Sequence, residues 1–437
     1  MSNNVINISQ LNASDSDFQS RLAVLLQRDM IAAETVTNTV SDILQQVRAR
    51  GDAAVMEYTN RFDGFAAQSM SDLEVSQEQM QQALGSITAK QRDALTHAAG
   101  RIRSYHERQK QGSWTYREAD GSVYGQKISP LKRVGIYVPG GKANYPSSML
   151  MLAIPAQVAG VSEVIATVPT VYGEAGKLVF AAAALAGVTK LYTIGGAQAI
   201  AALAFGTESI GRVDKIAGPG NIYVTVAKKL VFGEVGIDMI AGPSELTIIS
   251  DGKSNPDWIA MDLFSQAEHD EQAQSILISN DSAFMDRVKA SIDSLLPSMQ
   301  RREIISESLS NRGIFIQVKD LEQAAAVSNL IAPEHLELSI EEPESLLDSI
   351  DSAGAIFMGR YSAEALGDYC AGPSHVLPTS GSAKFFSALG VYDFQKRSSI
   401  INCSASGAQA LAETASTIAR DEHLQAHALS AEYRLKS

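Results

Sequence analysis

The residues with the widest chemical reach in this chain are its histidines, and they are unevenly placed. Of the seven, His97 and His106 fall on a long polar helical pattern, while the other five, from His269 onward, lie near acids. Gln266 and His269 are three apart, which on a helix puts both side chains on one face. Glu334 and His335 are adjacent and follow Ala332-Pro333, a turn that would hold two titratable groups side by side. Asp368 and His375 flank an Ala-Gly-Pro tripeptide, and His423 and His427 stand four apart near the end, with Glu422 beside them. Two imidazoles, a carboxylate and one further polar ligand suit Zn²⁺. A Glu-His pair suits general acid-base work, because imidazole titrates near neutral pH. Spacing alone selects no ligand quartet. His423-x-x-x-His427 lacks the Glu of the zincin motif, and an isolated helical His is commonly structural.

Glycine turns supply a second set of candidates. Ala-Gly-Pro occurs at 217–219, 241–243 and 371–373, followed each time by polar residues: Gly220-Asn221, Ser244-Glu245 and Ser374-His375. The first two copies follow runs that read as strands, and open α/β sheets bind ligands at the carboxyl ends of strands. Gly-Pro also simply ends strands. No G-x-G-x-x-G is present. Pro139-Gly140-Gly141 and Gly195-Gly196-Ala197-Gln198 each sit between a strand and a helix, so their amides could face a phosphate. Neither a G-x-S-x-G elbow nor a Walker A loop occurs, which disfavours a serine hydrolase and an NTPase.

The elements that must position these residues are legible from periodicity. The first third reads as helical: 40–50, 53–60 and a long pattern over 76–111, broken near 85–88, then a hairpin over 114–127 around Asp120-Gly121. Strands at 134–138, 163–168, 190–194, 215–217 and 236–240 then alternate with helices at 147–159, 173–186, 198–205 and 222–231. A second alternating block places strands at 246–250, 275–279, 313–318, 336–339 and 355–358. Its helices fall at 256–268, 283–295, 321–330 and 344–350. Such alternation predicts parallel sheets covered on both faces, hence two tandem doubly wound α/β units. The N-terminal region is expected to return onto the second unit. A short strand near 398–403 precedes a tail that reads as one long helix over 407–435.

Composition bounds the partners. Lys plus Arg number 36 against 49 Asp plus Glu, a net charge of −13. That argues against a nucleic-acid groove or a polybasic membrane patch. The two cysteines, Cys370 and Cys403, make no disulfide framework and fit a reducing cytoplasm. The start of the chain carries no signal-peptide pattern. The apolar stretch 143–162 holds Pro146, Pro155 and Gly160, and reads as a buried helix, not a membrane span.

Taken in order, these stretches resemble histidinol dehydrogenases. The similarity is carried by Gly51-Asp52 through Arg61-Phe-Asp-Gly64, Arg133-Val-Gly-Ile-Tyr-Val-Pro-Gly-Gly141, Gly195-Gly-Ala-Gln-Ala-Ile200 and Asp214-Lys-Ile-Ala-Gly-Pro-Gly-Asn221. It continues through Asp238-Met-Ile-Ala-Gly-Pro-Ser-Glu245, Gln266-Ala-Glu-His269, Ala332-Pro-Glu-His-Leu-Glu-Leu338, Gly367-Asp368 to Thr379, and Glu422 with His427.

The resemblance implies a zinc-dependent, NAD-linked oxidation of L-histidinol to L-histidine through the aldehyde, in a cytoplasmic homodimer. It implies one Zn²⁺ per subunit on Gln266, His269, Asp368 and His427, with Glu334 and His335 as the catalytic pair. Ser244, His335, Glu422 and the zinc ligands would touch substrate, and Tyr137, Gln198 and Asn221 would contact NAD. The C-terminal segment would reach the partner's site. His423 stands where the family carries a small residue, often Gly, and His375 has no role beyond support.

The expected division is an N-terminal appendage (1–30), a first α/β domain from 31–130 and 239–380 carrying most of the site, a second, NAD-binding, from 131–238, and a C-terminal appendage (381–437). Rival readings are a related zinc/NAD dehydrogenase for another small polar alcohol, and a two-lobed α/β binding protein without catalysis.

Overall fold

The computed structural model describes residues 6–27, 34–140, 145–169 and 174–435. Gly141, the last residue of one glycine turn, lies outside them. Two six-stranded sheets form the frame. One is wholly parallel, in the order Ser9–Asn12, Ile314–Gln317, Gln274–Ser279, Glu245–Ser250, His335–Ser339, Ala355–Met358. Its inner strands Gln274–Ser279 and Glu245–Ser250 are buried along their whole length, as expected for strands covered on both faces. The other sheet runs Glu74–Val75, Lys190–Tyr192, Glu163–Thr167, Arg133–Tyr137, Lys215–Ala217, Gly236–Ile237, with only the first strand antiparallel. Both are doubly wound. Strand order reverses between Arg133–Tyr137 and Lys215–Ala217 in one, and between Glu245–Ser250 and His335–Ser339 in the other.

The N-terminal strand returns to the sheet of the second alternating block, pairing Ser9 with Ile314. Against the expected grouping of 31–130 with 239–380, the helices Glu34–Arg50, Asp52–Phe62, Gln77–Ser86 and Ala89–Glu107 cover the sheet of 131–238. Their apolar faces find complements there. Val40, Ile43, Leu44 and Val47 share a core with Ile200, Leu203 and Val231. Gln77 fixes the docking by donating Nε2 to Val188 O at 2.7 Å. The helix Ala89–Glu107 also reaches across the divide, where Arg101 donates to Cys370 O at 2.9 Å.

The apolar stretch after 143 forms the helix Pro146–Ala159, buried on nearly every side. Among the described residues no helix is long and apolar enough to cross a membrane. A third, antiparallel sheet joins Trp114–Arg117, Val123–Pro130 and Gln395–Asn402, so the hairpin carries the C-terminal segment. The tail is two helices, Ala405–Asp421 and Gln425–Glu432, not one. The first ends in a Schellman arrangement: Leu424 N donates to Ala419 O at 2.7 Å, and His423 N to Arg420 O at 3.0 Å. His423 takes the left-handed position at φ 60°, a conformation that costs a residue with a Cβ about 1–2 kcal/mol.

The first Ala-Gly-Pro turn is clamped by a buried ion pair. Lys228 Nζ lies 2.5 Å from Asp238 Oδ1, with side chains 3% and 1% exposed. Lys228 also donates to Gly218 O at 2.8 Å, and Asp238 Oδ2 accepts from Gly218 N at 2.7 Å. Gly218 has φ 124°, and a Cβ there would stand 2.1 Å from Tyr137 O. Removing one partner strands the other charge, so Lys228→Met is expected to cost about 3–5 kcal/mol in denaturant unfolding. A loss under 1 kcal/mol would show that the pair does not hold the turn.

Candidate active site between the two sheets

The switch points of the two sheets face one another with opposite polarity. Pro139, Pro219 and Asn221 lie past the carboxyl ends of their strands, whereas Ser244, Glu334 and His335 lie at the amino ends of theirs. The general rule for open sheets therefore holds on one wall only. The cavity between the walls measures about 1650 Å³.

Glu334 and His335 reach it through a strained turn. The helix Leu321–Ile331 ends at Ala332, which is fully buried and left-handed at φ 52°. Pro333 O and Glu334 O then accept from Gly354 N and Ala355 N, pinning the start of the strand. Glu334 Oε2 accepts from Glu245 N at 2.8 Å. His335 Nδ1 lies 3.0 Å from Glu245 O, which sets that nitrogen as the donor and leaves Nε2 facing Asp368 Oδ1 at 3.3 Å. Across the cavity edge, Gln266 and His269 sit at the end of the helix Pro256–Ala267. His269 Nδ1 lies 2.9 Å from Ser265 O, so its Nε2 is free. Asp368 stands in a single π turn, Gly367–Ala371, a form common at functional sites. His375 braces it, with Nδ1 2.9 Å from Asp368 O and Nε2 3.0 Å from Ser148 Oγ.

Burial sets the electrostatics. It pushes Glu334 up to about 8, against partial relief from His335 and the Glu245 amide. It also pushes Glu364 to about 8. Burial alone would lower His335, but the carboxylates of Glu364, Glu334 and Asp368 outweigh it and hold the imidazole well above its ordinary value. Asp368 is held low: burial opposes its charge, yet the hydrogen bond and charge of His335 win. The site thus holds a desolvated, strongly basic carboxyl beside a basic imidazole.

A carboxyl at about 8 when folded, against 4.5 as the ordinary value, has a stability consequence. Between those values the native chain keeps a proton the unfolded chain has lost, so stability falls as pH rises through the window. Glu334→Gln keeps an acceptor for Glu245 N and removes this linkage. The metal-free variant should lose less melting temperature than the wild type between pH 5 and 8. Parallel melting curves would contradict it.

Ser244, Gln266, His269, Glu334, His335 and Asp368 therefore share one cavity, with Asn221 on the facing wall. Tyr137 and Gln198 do not line it. They are buried at the glycine turn behind it, where Gly196 N donates to Tyr137 Oη at 3.2 Å and Gln198 Nε2 to Asp63 Oδ2 at 3.3 Å. Asp63 also accepts from Gly195 N, so a carboxylate and the Tyr137 hydroxyl occupy the two glycine amides that could have faced a phosphate. Glu422 and His427 are exposed on the tail and do not line the cavity either. Sequence reasoning does not reach Glu364. It is 2% exposed, lines the cavity, and offers a ligand atom within 4.8 Å of those of His335 and Asp368, a trio able to hold a metal ion. An acid at the start of a short helix reads as a capping residue, so no local signal marks it.

Comparison with known proteins agrees with this architecture. The sequence model of the family described as histidinol dehydrogenase matches residues 26–435. The chain is 65% identical to the histidinol dehydrogenase of Pseudomonas aeruginosa over 98% of its length and 97% of that protein's. It is 60% identical to that of Dechloromonas aromatica over 99% and 100%. The crystal structure of histidinol dehydrogenase from Elizabethkingia anophelis superposes with a TM-score of 0.92 at 35% identity, covering 98% of both chains. With the resemblance running from end to end and the fold shared, the chain belongs to the histidinol dehydrogenase family.

Proposed function

We propose that the chain oxidises L-histidinol to L-histidine through L-histidinaldehyde, reducing two NAD⁺, as the last steps of histidine biosynthesis in the cytoplasm. The observation that carries this is the convergence of Glu334, His335, Gln266, His269 and Asp368 on one cavity in a chain of this family.

The residues fit one Zn²⁺ per subunit. Gln266 offers a carbonyl oxygen, His269 a free Nε2 and Asp368 a carboxylate, a borderline N/O donor set suited to zinc. A fourth ligand would be His427 of the partner subunit, because this chain's own tail does not line its cavity. When bound, the ion supplies a Lewis acid for which the imidazole and amino nitrogens of the substrate are good ligands.

The side chains do the rest. In the first oxidation a C–H bond breaks as hydride leaves to nicotinamide, the C=O bond forms, and His335, in the neutral form of its ring, takes the hydroxyl proton at Nε2. Water then adds to the aldehyde carbon while Glu334 takes its proton, a task for which desolvation makes that carboxylate a stronger base. A second hydride leaves the hydrated carbon to a second NAD⁺, and His335 again takes the hydroxyl proton. Alcohol, one water and two NAD⁺ become carboxylate, two NADH and three protons. Ser244 contacts substrate at the rim, and Glu422 of the partner subunit would accept from the far ring nitrogen. Asn221, with Tyr137 and Gln198 behind it, serves NAD.

The test is NADH absorbance with L-histidinol limiting. Two NADH per histidinol, lost on chelation and restored by zinc, is the expected result. One NADH would remove Glu334 from the hydration step, and none would overturn the substrate.

A further inference from the structure

A glutamine amide is an ambiguous metal ligand. Its oxygen has lone pairs to give and its NH₂ has none, so the side chain ligates only if something decides which atom faces the ion. Around Gln266 that decision is made by two acceptors. Glu364 Oε1 lies 3.0 Å and Glu245 O 3.3 Å from the position its amide nitrogen takes when the hydrogen bonds are satisfied. With both N–H groups spent, the carbonyl oxygen is the atom left to bind. Gln266 is fully buried, so a reversed amide would place oxygen against oxygen with no water to relieve it.

We infer that Glu364 is a positioning residue that fixes Gln266 as an oxygen ligand, and that it does so as a hydrogen-bond acceptor. The rest of its surroundings hold it for that task. Ser265 Oγ donates to Glu364 Oε2 at 3.3 Å, occupying the other oxygen. The backbone N of Glu364 donates to Glu337 Oε1 at 2.7 Å, which anchors the short helix Glu364–Leu366 to the strand His335–Ser339. Oε1 accepts the amide N–H whether or not Oε2 carries a proton, so the role is independent of the charge of the group. Its Oε1 lies 3.5 Å from His335 Nδ1, so one carboxyl touches both the ligand side and the base side of the site. Partners behind metal ligands commonly account for 10–100-fold in affinity.

This rests on the metal reading above, and one experiment separates the two. The full chain is stripped of metal and titrated with Co²⁺ alone, following the visible d–d bands, and its zinc affinity is measured against a chromophoric chelator. Glu364→Met matches the side chain in length but is a poor acceptor. Glu364→Gln keeps a carbonyl oxygen where Oε1 stands. Glu364→Met should bind zinc about 10–100-fold more weakly, with altered Co²⁺ bands, and Glu364→Gln should restore both to within a few-fold. Where the methionine chain does not accumulate, Glu364→Leu takes its place. Wild-type affinity and bands in Glu364→Met would overturn the inference alone, as would a glutamine variant as weak as the methionine one. A wild-type chain that takes up no metal would overturn both readings.

Discussion

Replacing His335 by Asn lowers turnover by about 10²–10⁴-fold while zinc stays at one per subunit. The asparagine amide can donate where Nδ1 faces Glu245 O at 3.0 Å, so the strand start keeps its anchor. What vanishes is Nε2, the nitrogen set toward the cavity. The second readout separates two uses of the same ring. His335, Glu364 and Asp368 together offer a metal site of their own. If zinc content falls with turnover, His335 is a ligand and the base must be sought elsewhere. If zinc stays and turnover falls, Gln266, His269 and Asp368 keep the ion and His335 moves the proton.

The second large effect concerns His427. It sits exposed on the helix Gln425–Glu432, off the cavity of its own chain. His427→Asn should leave the fold intact, because no core contact is removed, yet activity should fall to background for want of a ligand. Mixing then tests where the ligand acts. In a two-fold dimer whose tails cross, a His335→Asn chain paired with a His427→Asn chain builds one site with both histidines and one with neither. Random pairing of equal amounts should recover roughly a quarter of wild-type activity from two inactive parents. Activity that stays at background in the mixture would rule out the crossed arrangement.

Much of this was legible in the sequence, and the parts that were not share a cause. The strand-helix alternation pointed to both sheets, because buried parallel strands print as near-continuous apolar runs such as Val134–Val138. Glu334-His335 and Gln266-x-x-His269 stood out as candidates by residue type and spacing, but only the family resemblance gave them roles. The grouping of 31–130 failed because an amphipathic face such as Val40, Ile43, Leu44 and Val47 states that it needs a partner and not which one. The tail break failed because His423 lacks the glycine that usually marks a left-handed stop. Glu364 failed because its neighbours, Gln266 and Glu337, are distant in the chain, and a hydrogen bond across such a span leaves no spacing to read. The opposite polarity of the two walls is likewise a property of how the sheets are set against each other, which local patterns do not encode.

The edge strand Ser9–Asn12 has a consequence for synthesis. Its partner Ile314–Gln317 is translated about 300 residues later, which at 5–20 residues per second is a wait of roughly 15–60 s. The sheet covered by the helices from Glu34 onward has all its strands by Ile237, so it can assemble while the first strand is still unpaired, with Val376, Leu389 and Phe394 joining its core later. Ser9–Asn12, made long before its partner, is thus among the last strands to settle. A chain stalled before residue 314 should present a folded unit built on residues 34–237 with its N-terminal strand Ser9–Asn12 still unpaired, the kind of exposed edge that invites wrong pairing.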